Sequence, residues 1–247
     1  MRRFLVALQF LTIFPVKIKS EIEGKDFGAS LLYFPIVGLI VGLLLSLIAL
    51  SLFFLPALVR AAAILTISIL ITGGIHLDGF ADTCDGFYGN KQVEKVLEIM
   101  RESRIGAMGA IGIVSLLLLK FSVMASLQET YLWKTLIVMA VFSRWSQCFA
   151  CNAARYARKA GKAKYFIEHS RKRDLFVGGI FTLALSLLLM RSKGFILFFL
   201  SIIPVYLFIR YIKTKVGGMT GDTIGAVNEI AEVCVLLSGL ILSGVLA

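Results

Sequence analysis

Apolar residues in this chain arrive in blocks about as long as a bilayer is thick. Roughly 20 consecutive apolar residues cross the hydrocarbon as a helix. Seven such runs stand at Leu31–Leu55, Ala57–Thr72 (or on past Gly74), Ala107–Leu127, Tyr131–Cys151, Leu175–Met190, Gly194–Ile212 and Thr223–Ala247. They predict an all-α, polytopic membrane bundle of about seven transmembrane helices, forming one domain over 1–247. Phe4–Phe14 is too short to span and carries Gln9, so it reads as an interfacial or re-entrant helix ahead of Pro15. Composition agrees. The chain is 58% hydrophobic and only 17% charged, against about 45–50% and 25% in soluble domains, and its mean hydropathy is +0.88. A soluble enzyme, a disordered tail and a disulfide scaffold are excluded.

The net charge is nevertheless +11, from 26 Lys and Arg against 15 Asp and Glu. A basic chain can mean nucleic acid, but the blockwise apolar pattern argues against it. The positive-inside rule accounts for the excess instead. With the N-terminus in the cytoplasm, 20 of the 26 cations fall on the cytoplasmic side. Arg60, Lys134, Arg191 and Lys193 fall outside, and Lys120 and Arg144 within spans. The outer loops are short and the inner ones long, so the chemistry is expected on the cytoplasmic face of the cell (inner) membrane. Cys84, Cys148, Cys151 and Cys234 are too scattered for a disulfide framework, and Cys148 and Cys151 read as small packing residues. No small-residue cleavage site follows the first apolar stretch.

Two cytoplasmic segments, 73–106 and 213–224, carry the candidate catalytic residues. The first opens GGIHLDGFADTCDGFYG, Gly73 to Gly89. Asp78, Asp82 and Asp85 are spaced four and then three, which puts them on one face of a helix. Three like charges on one stripe repel unless a cation lies between them, and hard oxygen donors suit Mg²⁺. His76 is a candidate ligand or general base, or a hydrogen-bonded interfacial histidine. Glycines 79, 86 and 89 leave room for substrate or a neighbouring helix. An amphipathic stretch with Val93, Val96, Leu97 and Met100 on its apolar side follows. Arg101 and Arg104, in RESRIGAMG, then offer guanidinium forks to phosphate oxygens, beside Gly106 and Gly109.

The second segment runs into GGMTGDTIGAVNEIAE, Gly217 to Glu232. A glycine-rich turn opening a helix, with Gly221 at its start, is a natural phosphate cradle. Asp222, Glu229 and Glu232 are spaced seven and three, again one face. The two glutamates lie turns deep in the last run, where carboxylates must face the bundle interior and be paired. Arg144 is the expected partner. Lys120 reads as a snorkelling lysine without function, and the cations of Arg155 to Arg173 as contacts to anionic lipid head groups.

Taken together, LQFLTIFPV (Leu8–Val16), the HLDG-x₂-D-x₂-DG block, RESRIGAMG, SRW (Ser143–Trp145) and GGMTGD…GA (Gly217–Ala226) resemble the cobalamin synthase family, adenosylcobinamide-GDP ribazoletransferases of the membrane. The resemblance covers nearly the whole chain. It implies a Mg²⁺-dependent reaction between a corrinoid-GDP and α-ribazole, or its 5′-phosphate, that closes the lower nucleotide loop and releases GMP. It implies membrane lipid as surroundings, leaves open a homo-oligomer, and involves no nucleic acid. Displacement at phosphorus needs a metal to neutralise charge and arginines to hold oxygens, which the two segments offer. A CDP-alcohol phosphotransferase fits less well, since Asp82 stands where its motif has Arg. A prenyltransferase would want two Asp-rich motifs and more spans. A cation transporter using Glu229, Glu232 and Arg144 would want polar residues towards both faces.

Overall fold

Backbone amides find no water in hydrocarbon, so an apolar run there closes its hydrogen bonds within itself as a helix. The computed structural model describes residues 1–18 and 21–244. Lys19, one of the cytoplasmic cations, and residues 245–247 of the seventh run lie outside the described residues. Among the described residues there are twelve α-helices and no strand: α1 (Arg2–Leu11), α2 (Gly24–Ser30), α3 (Phe34–Ser51), α4 (Ala57–Thr72), α5 (Ile75–Phe87), α6 (Val93–Ile99), α7 (Ala107–Ser126), α8 (Glu129–Ala153), α9 (Ala163–Glu168), α10 (Lys172–Met190), α11 (Ser192–Val216) and α12 (Gly221–Ser243).

Each of the seven expected runs falls on one helix: α3, α4, α7, α8, α10, α11 and α12. Five helical stretches are long and apolar enough to cross a membrane, or six if α4 and α5 form one bent span. Two of the seven expected runs, on α4 and α8, do not qualify by themselves on that measure, and both cases have physical causes. Helix α4 has only 16 residues. Helix α8 is long, with 25 residues, but carries Glu129, Lys134, Arg144 and Gln147. Arg144 and Gln147 are tolerated because α3, α10 and α12 enclose them, while Glu129 stands exposed at the helix start. The least apolar of the long helices is one that its neighbours mostly bury. On the outer helices the pattern inverts, and Leu118, Ile180, Leu188, Ile203 and Leu207 stand exposed.

Small residues set the crossing of α3 and α8. Gly38, Gly42 and Ser46 form a small-xxx-small stripe on α3, facing α8. A methyl on Gly42 would stand 2.8 Å from the Ile137 Cα, and Ser46 Oγ donates to the Trp133 carbonyl at 2.7 Å. Helix α1 packs its buried Val6, Ala7 and Leu11 against α2 and α3. Its Arg2 reaches the fully buried Asp26 of α2 at 2.7 Å.

The feature that positions the site is the break after α4. Gly73 and Gly74 both adopt left-handed φ, at 63° and 68°, a region closed to most side chains. The chain turns by 92° there, so α5 leaves the direction of α4. It lies against the first turns of α12 and α7. A methyl on Gly79 would stand 2.7 Å from the Asp222 carbonyl oxygen, so this glycine lets α5 and α12 touch backbone to backbone.

Candidate active site

Asp78, Asp82 and Asp85 do lie on one helix, α5, as their spacing predicts, but they do not share one task. The Asp85 carboxylate accepts hydrogen bonds from the Gly106 amide at 2.7 Å and the Gly109 amide at 2.8 Å. It caps the N-terminus of α7, where amides lack helical partners and the dipole favours an anion. A side chain on Gly106 or Gly109 would run into that carboxylate. These two glycines make room for Asp85, not for a phosphate as their neighbourhood suggested.

The companion of Asp78 and Asp82 comes from α12. Asp78 and Asp222 line one cavity of about 280 Å³, and the Gly79 contact holds their helices together. Asp82 is half-buried beside them. Burial, with the Asp222 and Asp78 charges close by, pushes its carboxyl up to about 7, against the pull of Arg158. The cluster is short of positive charge.

Lys162 lines the same cavity, but the cation paired with a cluster carboxylate is Arg158. Its Nη2 meets Asp222 Oδ2 at 2.7 Å and donates to the Met100 carbonyl at 3.2 Å. Its Nε is buried with no hydrogen-bond partner among the described residues. The segment carrying it is pinned to the chain ahead of α12: Met219 N donates to the Arg155 carbonyl and Ala157 N to the Met219 carbonyl, both at 2.9 Å. Gly218 accommodates that crossing, since a methyl there would meet the Arg155 carbonyl. Gly218 of the glycine-rich turn thus serves backbone approach. Thr220 caps α12, accepting from Thr223 N at 3.1 Å. Gly221 does line the cavity. Arg101 and Arg104 are exposed on the loop before α7. Arg101 lies near enough to Tyr156, on the cavity wall, to oppose the upward push that burial gives its phenol.

The second expected cluster separates into two. Asp222 stays with the cavity. Glu229 and Glu232 lie deeper, in a buried ion group with Lys120 and Arg144. Lys120 Nζ is 2.5 Å from Glu229 Oε2 and 2.6 Å from Glu232 Oε2, and Arg144 Nη1 is 2.5 Å from Glu232 Oε1. The pairing with Arg144 is as expected, but Lys120 is not a snorkelling residue. It is 3% exposed, because two carboxylates inside the bundle hold it more firmly than distant water can.

An amide chain links this group to the cavity. Asn228 Nδ2 donates to Glu232 Oε1 at 3.1 Å and Glu229 Oε1 at 3.3 Å. Carboxylates only accept, so the Asn228 amide is oriented with Oδ1 towards Gln147, whose Nε2 donates to it at 2.9 Å. The same Gln147 nitrogen is 3.1 Å from His76 Nε2. An amide nitrogen only donates, so His76 Nε2 accepts, and the hydrogen of the neutral ring sits on Nδ1. His76 lines the cavity, but Nε2, the ring nitrogen left with a free lone pair, accepts from Gln147.

Sequence reasoning missed Arg158, Gln147 and Asn228. Arg158 is one of eight cations from Arg155 to Arg173, and no spacing sets it apart. Gln147 and Asn228 were legible only as rare amides in apolar runs.

The fold and the site define a polytopic helical membrane protein that gathers carboxylates and an arginine at one cavity where helix ends meet. The sequence pattern of the cobalamin-5-phosphate synthase family matches residues 3–241, and the chain belongs to that family. An adenosylcobinamide-GDP ribazoletransferase of Clostridium acetobutylicum is 34% identical over 241 residues, covering 96% of this chain and 95% of the relative. One of Clostridium botulinum is 37% identical over 236 residues, covering 95% of each. One of Alkaliphilus metalliredigens is 36% identical over 250 residues, covering 99% and 97%. No solved structure matches the chain.

Proposed function

We propose that this chain performs the reaction its relatives are named for, joining a corrinoid-GDP to α-ribazole or its phosphate in the assembly of the cobalamin nucleotide loop. One observation carries the reading beyond family membership: Asp78, Asp222 and Arg158, from three separate segments, meet at a single cavity. A ribazole hydroxyl oxygen bonds to the phosphorus on the cobinamide side. The pyrophosphate bond to the GMP phosphate breaks, and GMP leaves with the electron pair. The hydroxyl proton passes to a carboxylate at the cavity, Asp78 or Asp222, since His76 Nε2 is engaged by Gln147. Arg158, with its free buried Nε, holds phosphate oxygens, and Arg101 and Arg104 extend that field at the rim.

Hard carboxylate oxygens short of positive charge fit Mg²⁺. Among the described residues no three acidic, His or Cys side chains close on one point, so a full protein cage is not the fit. Mg²⁺ usually keeps waters and bridges one or two carboxylates to substrate phosphates. Asp78 and Asp82 would hold it, and it would neutralise charge on the pyrophosphate. Asp85, bonded to two amides, is spent elsewhere.

The skewed cation count supports a bundle of seven helices in the cell membrane, with a cytoplasmic N-terminus and the cavity facing the cytoplasm. A cation path along Glu229 and Glu232 loses support, because Lys120 and Arg144 already neutralise both carboxylates. The test is GMP release by purified protein given the GDP-linked corrinoid, α-ribazole and Mg²⁺. Asp82→Asn should abolish release and leave a folded protein. Wild-type turnover in that variant would remove Asp82 from the site.

A further inference from the structure

We infer that His76 meets the substrate as a fixed hydrogen-bond donor, with its Nδ1–H addressed to a phosphoryl oxygen, and that Gln147 and Asn228 are positioning residues that set this tautomer from the buried ion group. This rests on the reaction proposed above and assigns one more group to it.

The proton on His76 is decided two side chains away. Which ring nitrogen carries the hydrogen follows from the bond that the other makes, and here that bond ends a chain with one possible direction. The carboxylates of Glu229 and Glu232, paired with Lys120 and Arg144, accept from Asn228 Nδ2. Turning the Asn228 amide over would set Oδ1 against them. Turning the Gln147 amide over would set Oε1 against Asn228 Oδ1, which accepts from Gln147 Nε2 at 2.9 Å. Each amide is locked by the one before it, so the Gln147 nitrogen, 3.1 Å from His76 Nε2, donates there. Asn228 is fully buried and Gln147 is 1% exposed, so water has little access to replace either partner. Gly225 brings α12, which carries Asn228, past the His76 backbone, since a methyl there would stand 3.3 Å from the His76 Cα.

The ring is left with its lone pair engaged and its hydrogen unpartnered. Among the described residues Nδ1 makes no hydrogen bond, and a buried N–H left unpaired is costly. His76 is 4% exposed and lines the cavity, so an occupant of the cavity is the partner within reach. Arg158 Nε, of the same lining, is a second donor without a partner. Two unpaired donors call for a group that only accepts. A phosphoryl group is such a group, and its oxygens gather charge as the pyrophosphate bond breaks. His76 adds to the cations a neutral donor of fixed direction.

The chain holds only two histidines, His76 and His169, so ¹⁵N-histidine labelling of the full-length protein in detergent gives two rings, which His76→Asn assigns. His76 should show a protonated Nδ1 and a bare Nε2. Gln147→Met should replace that pattern by a mixture of tautomers and leave His169 unchanged. GMP with Mg²⁺ should move the Nδ1 signal, and guanosine, which lacks the phosphate, should not. In turnover, His76→Leu should lower kcat about a hundredfold, as for one lost oxyanion donor, and His76→Asn, whose amide donates near the Nδ1 position but takes up no proton, should recover about tenfold or more of that. Gln147→Met should lower kcat about tenfold and leave KM within about twofold. A wild-type hydrogen on Nε2, a tautomer indifferent to Gln147→Met, equal shifts by guanosine and GMP, or a His76→Asn no faster than His76→Leu overturns the assignment while the reaction stands. A wild type with the Nδ1–H tautomer that releases no GMP from the complete mixture instead refutes the proposed function.

Discussion

Replacing Lys120 by Met tests whether the buried ion group is a structural anchor. The group holds two cations and two anions, so it is neutral as a whole. Lys120 is 3% exposed, Glu229 4% and Glu232 3%, leaving water little access to screen any of them. Lys120→Met removes two charge-assisted hydrogen bonds, at 2.5 and 2.6 Å, and leaves a net charge of minus one inside the bundle. Interhelical hydrogen bonds in membrane proteins average about 0.6 kcal/mol each, so their loss alone would cost roughly 1 kcal/mol. An uncompensated buried charge costs about 3–5 kcal/mol, and this larger figure is the expected destabilisation. The double variant Lys120→Met with Glu229→Gln restores neutrality and should recover more than half of the loss. Reversible unfolding in mixed micelles, with the two single variants completing the cycle, measures both figures. A loss of about 1 kcal/mol for Lys120→Met, or a double variant no more stable than it, would refute the charge argument.

Asp85→Asn puts an amide NH₂ where the α7 amides need an acceptor. It should lower stability by about 1–3 kcal/mol with metal dependence unchanged, as read by unfolding and by Mg²⁺ titration of GMP release; lost Mg²⁺ affinity at unchanged stability would return Asp85 to the metal. Gly79→Ala forces a methyl against the Asp222 backbone and should cost about 1–3 kcal/mol together with most of the turnover. Full activity in that variant would mean that the α5–α12 contact does not set the site. Chelation by EDTA should stop GMP release, and added Mg²⁺ should restore it; release that persists after exhaustive chelation would contradict the metal assignment.

What could be read from sequence was what is local. The run Ala57–Thr72 became a helix with those same ends, because apolar length and flanking Pro56 and Gly73 are properties of the segment itself. The spacing of Asp78, Asp82 and Asp85 placed them on one helix for the same reason. Long-range partners were not legible. Lys120 reads as a snorkelling lysine from its own run, and its carboxylates are 109 and 112 residues away. Arg144 was paired correctly because two buried glutamates demand a cation, and few lie within spans. Arg158 was hidden by its seven cationic neighbours. Asp85 looked like a metal ligand because helical spacing says which face a side chain shares, not whether a neighbouring helix end has already claimed it.

The neutral ion group also dates the assembly of the protein. Lys120 and Arg144 are synthesised well before Glu229 and Glu232. At about 5–20 residues per second, the 109 residues between Lys120 and Glu229 take roughly 5–20 s. During that interval α7 and α8 hold two cations with no carboxylate to meet them, each unfavourable in the bilayer by about 2.5–3.5 kcal/mol. The ion group is therefore incomplete until α12 arrives, which makes α12 a late keystone of the bundle. Chains arrested before Glu229 should remain crosslinkable to the insertion machinery through α7, and chains that extend past Glu232 and clear it should not.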